Sequence, residues 1–260
     1  MVEQFSLSFS DGAARALHQK REDLESGFPW ESLNKEEHPP ERLARARRFW
    51  TENAFNEYSS AVAMSQLAQA LGQARTPVDL WRMAAGFASD ELVHTELCAR
   101  VAMRVGGASP LAFNPDDLEL QLEKSLSPRQ RACELVMRVC CVGEALSLPL
   151  LSGNRRAATQ PLARAVLDRI VHDEGAHARF GWLYLDWIAP ALDADERARL
   201  SAIARRQLGT MEPLWRDLRN APAVDSGGLG WMQPAEWASL ARESVERSLR
   251  APLARYGISI

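Results

Sequence analysis

Two copies of the motif Asp-Glu-x-x-His constrain the fold of this chain more than any other feature. The first copy begins at Asp90 and the second at Asp173, and both lie in stretches whose apolar residues recur with helical spacing. Residues three apart sit on neighbouring turns of one helix face, so the Glu and His of each copy point the same way. Ordinary residue frequencies give a chance count on the order of a few hundredths for such a motif. Two copies therefore require a common explanation.

Helical periodicity dominates the chain and strand signals are nearly absent, which predicts an all-α fold. Gly and Pro fall between the periodic blocks. The four long helices are predicted at about 41–73, 76–105, 127–151 and 159–188, flanked by further helices at about 194–219 and 234–256. Short helices are predicted near 11–26 and 116–124. The long connection between helices two and three can carry the chain from one helix pair to the other.

The motif residues occupy positions where a core-facing helix normally carries apolar side chains. Such a helix buries positions alternately three and four apart. In helix two that stripe is Leu80, Ala84, Phe87, Glu91, His94, Cys98, Val101 and Val105. In helix four it is Ala163, Leu167, Ile170, Glu174, His177, Gly181, Tyr184 and Ile188. Burying an ionised carboxylate without a partner is very costly, and bound metal is the simplest compensation.

The same test finds one acid on each of the other two helices. Glu57 is the only charged member of the helix-one stripe Trp50, Ala54, Glu57, Ala61, Met64, Ala68 and Leu71. Glu144 is the only charged member of the helix-three stripe Cys133, Met137, Cys140, Glu144, Ser147 and Leu151. Four carboxylates neutralise two divalent ions, and mixed oxygen and nitrogen ligands suit iron or manganese. The predicted metal ligands are Glu57, Glu91, His94, Glu144, Glu174 and His177.

Other acids and histidines fall off these stripes and are predicted to have no metal role. Four of them are interpreted as members of surface pairs, namely Glu52, Glu96, Glu134 and His172. His18 and His38 lie outside the four helices. By contrast, Asp90 and Asp173 each precede a ligand glutamate. We expect each to accept the free N–H of the histidine on the facing helix and so to orient its ring.

Composition excludes several classes of protein. Apolar residues make up 46% and charged residues 25%, the formal net charge is −3 and the pI is near 6.0, so nothing favours nucleic acid. The most apolar stretch, Val139–Leu151, contains a glutamate and is too short to span a bilayer, and no signal peptide is apparent, which predicts a cytoplasmic protein. None of the four cysteines forms a C-x-x-C pair. A single domain over 1–260 is expected, with its core at 41–188, an N-terminal extension at 1–40 and flanking helices at 190–260.

The order Glu, Asp-Glu-x-x-His, Glu, Asp-Glu-x-x-His resembles the ferritin-like di-iron carboxylate superfamily, whose four-helix bundle carries ligands in this pattern. The resemblance covers about 41–188 and implies a ferritin-like four-helix bundle with a long crossover between helices two and three and additional C-terminal helices. The Asp-Glu form is most similar to the oxygen-activating branch, which includes bacterial multicomponent monooxygenases and acyl desaturases. The chain differs from di-iron arylamine N-oxygenases because no stripe supplies an additional histidine. It also lacks the cysteine module of rubrerythrins.

This resemblance implies a di-iron oxidase or monooxygenase that uses O₂ on a small organic substrate, with two Fe ions, or Mn, as cofactor. The expected partners are O₂, the substrate and an electron donor. A homodimer is one assembly compatible with this resemblance. The pocket beside the metals is predicted to be lined by Tyr58, Phe87, Cys98, Cys140 and Cys141. Two alternatives stay open: a ferroxidase or iron-handling protein, and a peroxidase or manganese catalase-like enzyme.

Overall fold

The structure, a computed structural model, describes residues 1–21 and 23–260, without the side chains of Arg21 and Arg219. It is all-helical apart from one short antiparallel pair, β1 (Glu3–Gln4) with β2 (Ala112–Phe113), which are the only strands in the described ranges. The predicted short helix near 11–26 is present as α1 (Ala13–Arg21), although residue 22 lies outside the described residues. The all-α prediction is confirmed.

The four long helices have nearly the predicted bounds. They are α2 (Pro40–Gln73), α3 (Val78–Arg104), a continuous helix over Pro128–Ala157, and α6 (Pro161–Ile188). The third, here called the π-containing helix, comprises α4 (Pro128–Leu135), a π-helical segment (Val136–Glu144) and α5 (Ala145–Ala157). It extends six residues beyond its predicted end. Pro40, Pro128 and Pro161 lie in the first turn of three of these helices, where the backbone N–H groups have no partner within the helix.

Each of the four long helices packs against two of the others. α2 packs against α3 and α4, and α6 packs against α3, α5 and the π-helical segment. Two apolar clusters fill the interior. On α2, Ala54 belongs to one cluster and Met64 to the other, and Glu57 lies between these two residues. Along α6, Ile170 and Phe180 belong to different clusters and Glu174 lies between them. The motif residues therefore lie where the two apolar clusters meet.

The π-helical segment changes which residues face the core after Glu144. The α-helical stripe predicted Ser147 and Leu151 as core positions, and this was wrong. Both are only partly buried, whereas Leu146 and Leu150 are buried in the apolar cluster. A π-helical turn contains more residues than an α-helical turn, so it rotates the following side chains about the helix axis. Sequence spacing alone does not contain this rotation.

The C-terminal region departs from prediction at two places. The predicted helix over 194–219 is broken at Pro213 into α7 (Ala194–Met211), α8 (Pro213–Arg216) and a 3₁₀ turn (Asp217–Asn220). The last predicted helix is α9 (Pro234–Ser244), a π-helical turn (Val245–Arg250) and α10 (Ala251–Ala254). Before the π-containing helix, the helix predicted at 116–124 was wrong. Only a 3₁₀ turn, Pro115–Asp117, forms there.

The π-containing helix is also the one described helix that is long and apolar enough to cross a membrane. The most apolar stretch of the sequence, Val139–Leu151, is too short to span a bilayer, whereas the whole helix has 30 residues. Within the protein, 61% of its most apolar window is buried. Core helices of globular proteins meet the same criterion, so this helix is weak evidence for a membrane span.

Candidate metal centre

The six predicted ligands converge in the interior. Glu91, His94 and His177 are 0% exposed. The remaining three, Glu57, Glu144 and Glu174, are at most 7% exposed. Among the described residues, no Lys or Arg forms an ion pair with any of the six. Four buried carboxylates thus have only two imidazoles as potential cations, a charge balance that is very unfavourable without further positive charge.

The six side chains form two overlapping groups that can each hold a metal ion. One group is Glu57, Glu91, His94 and Glu174, and the other is Glu91, Glu144, Glu174 and His177. Within each group the potential ligand atoms lie within 4.8 Å of one another. Glu91 and Glu174 belong to both groups, so their two oxygens can serve neighbouring ions. The sequence motifs identified these residues, but only the structure identifies which two are shared.

The distances around His94 suit metal coordination better than hydrogen bonding. Its Nδ1 lies 3.6 Å from Glu57 Oε2, 3.7 Å from Glu91 Oε2 and 3.4 Å from Glu174 Oε1. These separations are long for hydrogen bonds. Two ligands that are each about 2.1 Å from one ion are roughly 3.0–3.6 Å apart, using bond lengths typical of nitrogen and oxygen ligands. An ion surrounded by these atoms fits the observed spacing.

Unpartnered buried atoms support the same fit. Among the described side chains, both carboxylate oxygens of Glu91 and Nδ1 of His94 are buried and have no hydrogen-bond partner. Glu91 Oε1 is 3.1 Å from His177 Nδ1, but their relative orientation does not satisfy hydrogen-bond geometry. Buried polar atoms in native proteins are nearly always paired. The residues present therefore fit a pair of bound ions.

The outer nitrogen of each histidine faces an aspartate on the other motif helix. His94 Nε2 donates to Asp173 Oδ2 at 3.2 Å, and His177 Nε2 donates to Asp90 Oδ2 at 3.3 Å. These are the two pairs predicted from the sequence. The contacts leave Nδ1 of each ring directed at the glutamates. Asp173 is additionally bonded to Arg169 Nε at 2.6 Å, whereas the side chain of Asp90 is 43% exposed.

Without metal, the acids in the centre have strongly divergent pKa values. Burial raises the pKa of Glu57 from 4.5 to about 8, although His94 opposes the shift. Burial and the charges of Glu174 and Glu91 raise the pKa of Glu144 well above its usual range. Burial also acts to raise the pKa of Glu174, but the hydrogen bond from His177 and the nearby imidazole of His94 outweigh it and hold the pKa well below normal. Protons thus take the place of missing cations at some of these acids.

The pKa values of both histidines are raised. Burial alone would lower the pKa of His177, but hydrogen bonds to Asp90 and Glu174 and the nearby carboxylate of Glu91 outweigh it and raise the pKa from 6.5 to about 12. The pKa of His94 is likewise raised well above 6.5, because its carboxylate neighbours outweigh burial. Both rings are therefore held as cations when no metal is present. Metal binding must displace these protons.

Two of the acids predicted to form surface pairs are in fact buried. Glu96 is 4% exposed and bonds His18 Nε2 at 2.6 Å and Arg100 Nη2 at 2.7 Å. Glu134 is 8% exposed and bonds Arg199 Nη2 at 2.5 Å. The prediction of surface exposure was wrong because the N-terminal segment and α7 cover these helix faces. Both acids have arginine partners, which distinguishes them from the acids of the centre.

The other two residues predicted for surface pairs, Glu52 and His172, are exposed. Glu52 pairs with Arg48 at 3.0 Å. His172 lies four residues after Asp168, a spacing that suits a pair, but Asp168 is bonded to Arg155 and Arg164 instead.

A cavity of about 660 Å³ reaches three of the acids, Glu57, Glu144 and Glu174. It lies between α2, the π-containing helix and the C-terminal elements. Its apolar wall includes Leu151, Met211, Leu214, Trp215 and Trp237. The residues after 190 thus contribute one side of the cavity, a role that no sequence motif indicated.

The five residues predicted to line the pocket lie outside this cavity. None of Tyr58, Phe87, Cys98, Cys140 and Cys141 is among the described residues that line this cavity. Tyr58 contacts Phe5 of the N-terminal segment, with ring centroids 5.7 Å apart. Phe87 packs on the ring of His177 at 4.3 Å. The three cysteines are fully buried core residues, and burial raises the pKa of each thiol.

No protein-family model, curated protein or solved structure matches this chain.

Proposed function

We propose that this protein is a di-iron, O₂-dependent oxidase or monooxygenase of the ferritin-like class that acts on a small organic substrate. The observation that carries the proposal is the pair of overlapping ligand groups sharing Glu91 and Glu174, with a mostly apolar cavity at their carboxylates. In this proposal α2, α3, the π-containing helix and α6 are the four helices of a ferritin-like bundle. The segment between α3 and α4 is its crossover.

Each ion would be held by one histidine, one unshared glutamate and the two shared glutamates. His94 and Glu57 serve the first ion, and His177 and Glu144 serve the second. Four carboxylates match the charge of two divalent ions. When bound, two iron ions supply the redox chemistry that reduces O₂ for attack on a C–H or N–H bond.

The rest of the chain positions these ligands and limits access to them. Asp90 and Asp173 orient the imidazole rings through their Nε2 atoms. The apolar clusters on both sides of the centre keep water away from it along the helix axes. Substrate and O₂ would approach from the cavity, at the side formed by Glu57, Glu144 and Glu174.

The composition of the cavity favours an organic substrate over an iron-handling role. Iron ions approaching a ferroxidase centre are attracted by acidic side chains. Apart from the acids of the centre, Glu52 is the one acid among the described lining residues, and Arg48 neutralises it. The wall also contains tryptophan, leucine and methionine side chains, in a volume within the range of small-molecule sites. Trp215 and Trp237, with ring centroids 6.4 Å apart, both lie in this wall.

The test combines metal analysis with O₂ consumption. We expect two iron ions per chain after anaerobic reconstitution, and rapid O₂ uptake with a change in the optical spectrum when air is admitted. His177→Ala should lose iron, whereas His172→Ala, an exposed histidine on the same helix, should retain it. Retention of full iron by His177→Ala would overturn the assignment of the centre.

Two further measurements separate the rival functions. Light scattering should find a small assembly, because iron storage requires a shell of many chains. Manganese in place of iron, together with rapid H₂O₂ decay, would instead favour a catalase-like enzyme.

A further inference from the structure

The cavity is elongated, and the acids of the centre lie near its middle. Its lining residues on the π-containing helix extend from Arg138 to Asn154, which is at most roughly 24 Å, since the π-helical turns rise less per residue than α-helical ones. Those on α2 extend from Phe49 to Ala63, or roughly 21 Å. Glu144 lies between Arg138 and Asn154, and Glu57 lies near the middle of the α2 range. A molecule that fills the cavity therefore passes the carboxylates with part of its length on either side.

Charge is distributed unevenly along this cavity. Five charged residues line it, and three of them, Glu57, Glu144 and Glu174, belong to the centre. Glu52 is the fourth, and Arg48 neutralises it at 3.0 Å. Arg138 is the fifth and, among the described lining residues, the only cation. Any charged group of a bound molecule would therefore find its best partner at Arg138.

Among the described residues, Arg138 pairs with one acid, Glu134, and shares it with Arg199. Glu134 Oε1 is 3.7 Å away, but the other oxygen of Glu134 is bonded to Arg199 at 2.5 Å. The remaining contacts of Arg138 are with neutral acceptors, the carbonyl of Gln121 at 3.1 Å and the side chain of Gln207 at 3.4 Å. Burial, with the nearby charge of Arg206, lowers the pKa of Arg138 despite Glu134. This half-buried guanidinium thus lacks a full counter-charge.

We propose that the cavity takes an elongated, mostly apolar organic anion, whose carboxylate pairs with Arg138 while its apolar body passes Glu57, Glu144 and Glu174. That this anion is a substrate rests on the proposed function. Its binding in the cavity does not require iron. A guanidinium is well suited to hold a carboxylate through paired N–H groups. The apolar body would contact Leu151, Trp215 and Trp237.

The test compares dodecanoate with methyl dodecanoate, which has the same chain length and no charge. Binding to the full chain is measured by calorimetry, both with iron under anaerobic conditions and without metal. We expect dodecanoate to bind wild type more tightly than the ester does. Arg138→Gln should weaken dodecanoate binding about tenfold, since a hydrogen bond to a charged group contributes that much, and should leave the ester unchanged. Arg138→Lys should lose less.

Arg156→Gln is the matched control, because Arg156 is exposed on the same helix and does not line the cavity. It should bind dodecanoate like wild type. Equal affinity for acid and ester, or no effect of Arg138→Gln, would overturn the proposal, as would dodecanoate binding that disappears on metal removal. A chain that holds no iron yet prefers dodecanoate through Arg138 would support the anion site and overturn the di-iron function.

Discussion

Glu91 and Glu134 are both buried glutamates on long helices, yet their surroundings differ completely. Glu134 has Arg199 at 2.5 Å and Arg138 at 3.7 Å. Glu91 has three other acids close by, and both of its oxygens lack a hydrogen-bond partner. Burial is therefore common to an ion-paired structural acid and to a candidate metal ligand. The presence or absence of an arginine partner distinguishes them.

Glu96 makes the same point at close range. It lies only two residues from His94 and is 4% exposed, but His18 and Arg100 bond it. A search for buried acids would select Glu96 and Glu134 together with the true candidates. The acids of the centre are the ones that no Lys or Arg reaches within the described part of the chain.

The largest effect is expected from changing a shared acid. Because Glu91 belongs to both ligand groups, Glu91→Gln should abolish binding of both iron ions, as measured by elemental analysis after reconstitution. Glu57 belongs to one group, so Glu57→Gln should retain about one ion. Asp79→Asn, an exposed acid on the same helix as Glu91, should retain two. Equal iron content in Glu91→Gln and Glu57→Gln would show that the sharing is wrong.

Removal of metal should reverse the pH dependence of stability. The raised pKa of Glu57 stabilises the metal-free fold at low pH, and this stabilisation is lost as pH rises from 4.5 to about 8. The raised pKa of Glu144 acts in the same direction as pH rises above 4.5. The raised pKa of His177 adds a loss between 6.5 and about 12. The low pKa of Glu174 stabilises the fold above 4.5 and is lost only in acid.

Between pH 5 and 8, the melting temperature of the metal-free protein should therefore fall as pH rises. That of the iron-loaded protein should not fall, because metal affinity increases as protons leave the ligands. Scanning calorimetry with and without a chelator measures both. The metal-free Glu57→Gln variant should show a shallower pH dependence. A melting temperature that rises with pH in the metal-free wild type would contradict the assignment of these shifts.

A smaller effect is expected at the ion-paired acid. Glu134→Gln should lower the free energy of unfolding by about 1.5–3 kcal/mol, since it weakens a charged hydrogen bond in a buried position. Iron content should stay at the wild-type value. Chemical denaturation and elemental analysis on the same sample separate the two effects. Loss of iron in this variant would remove the distinction between the two kinds of buried glutamate.

The smallest effect is expected behind the histidines. Asp173→Asn should weaken iron affinity about tenfold, as is typical for a residue that orients a ligand. Asp90→Asn should have a smaller effect, because Asp90 is more exposed and its contact with His177 is 3.3 Å. A competitive chelator titration measures both affinities. Arg169 bonds Asp173 and not Asp90. An equal loss of iron affinity in the two variants would indicate that Arg169 does not help to hold Asp173 in place.

Sequence patterns predicted most of the helical framework and all six residues that converge at the centre. The bounds of α2, α3 and α6 lie within two residues of prediction at nearly every end. These features are local, because helical spacing determines which residues share a face. The lining of the cavity could not be predicted in this way, because it depends on contacts between distant segments. Its wall includes Met211 and Trp237, far along the chain from the motifs.

By itself, the sequence determined which acids and histidines share a helix face with the apolar core, since this depends only on the repeat of one helix. Tertiary structure alone decided that Glu91 and Glu174 are shared between two groups, because sharing depends on the distance between helices. It also decided which buried acids have arginine partners, since Arg199 reaches Glu134 from a different helix. Finally, the π-helical segment rotated the residues after Glu144, a change in backbone winding that the side-chain pattern does not encode.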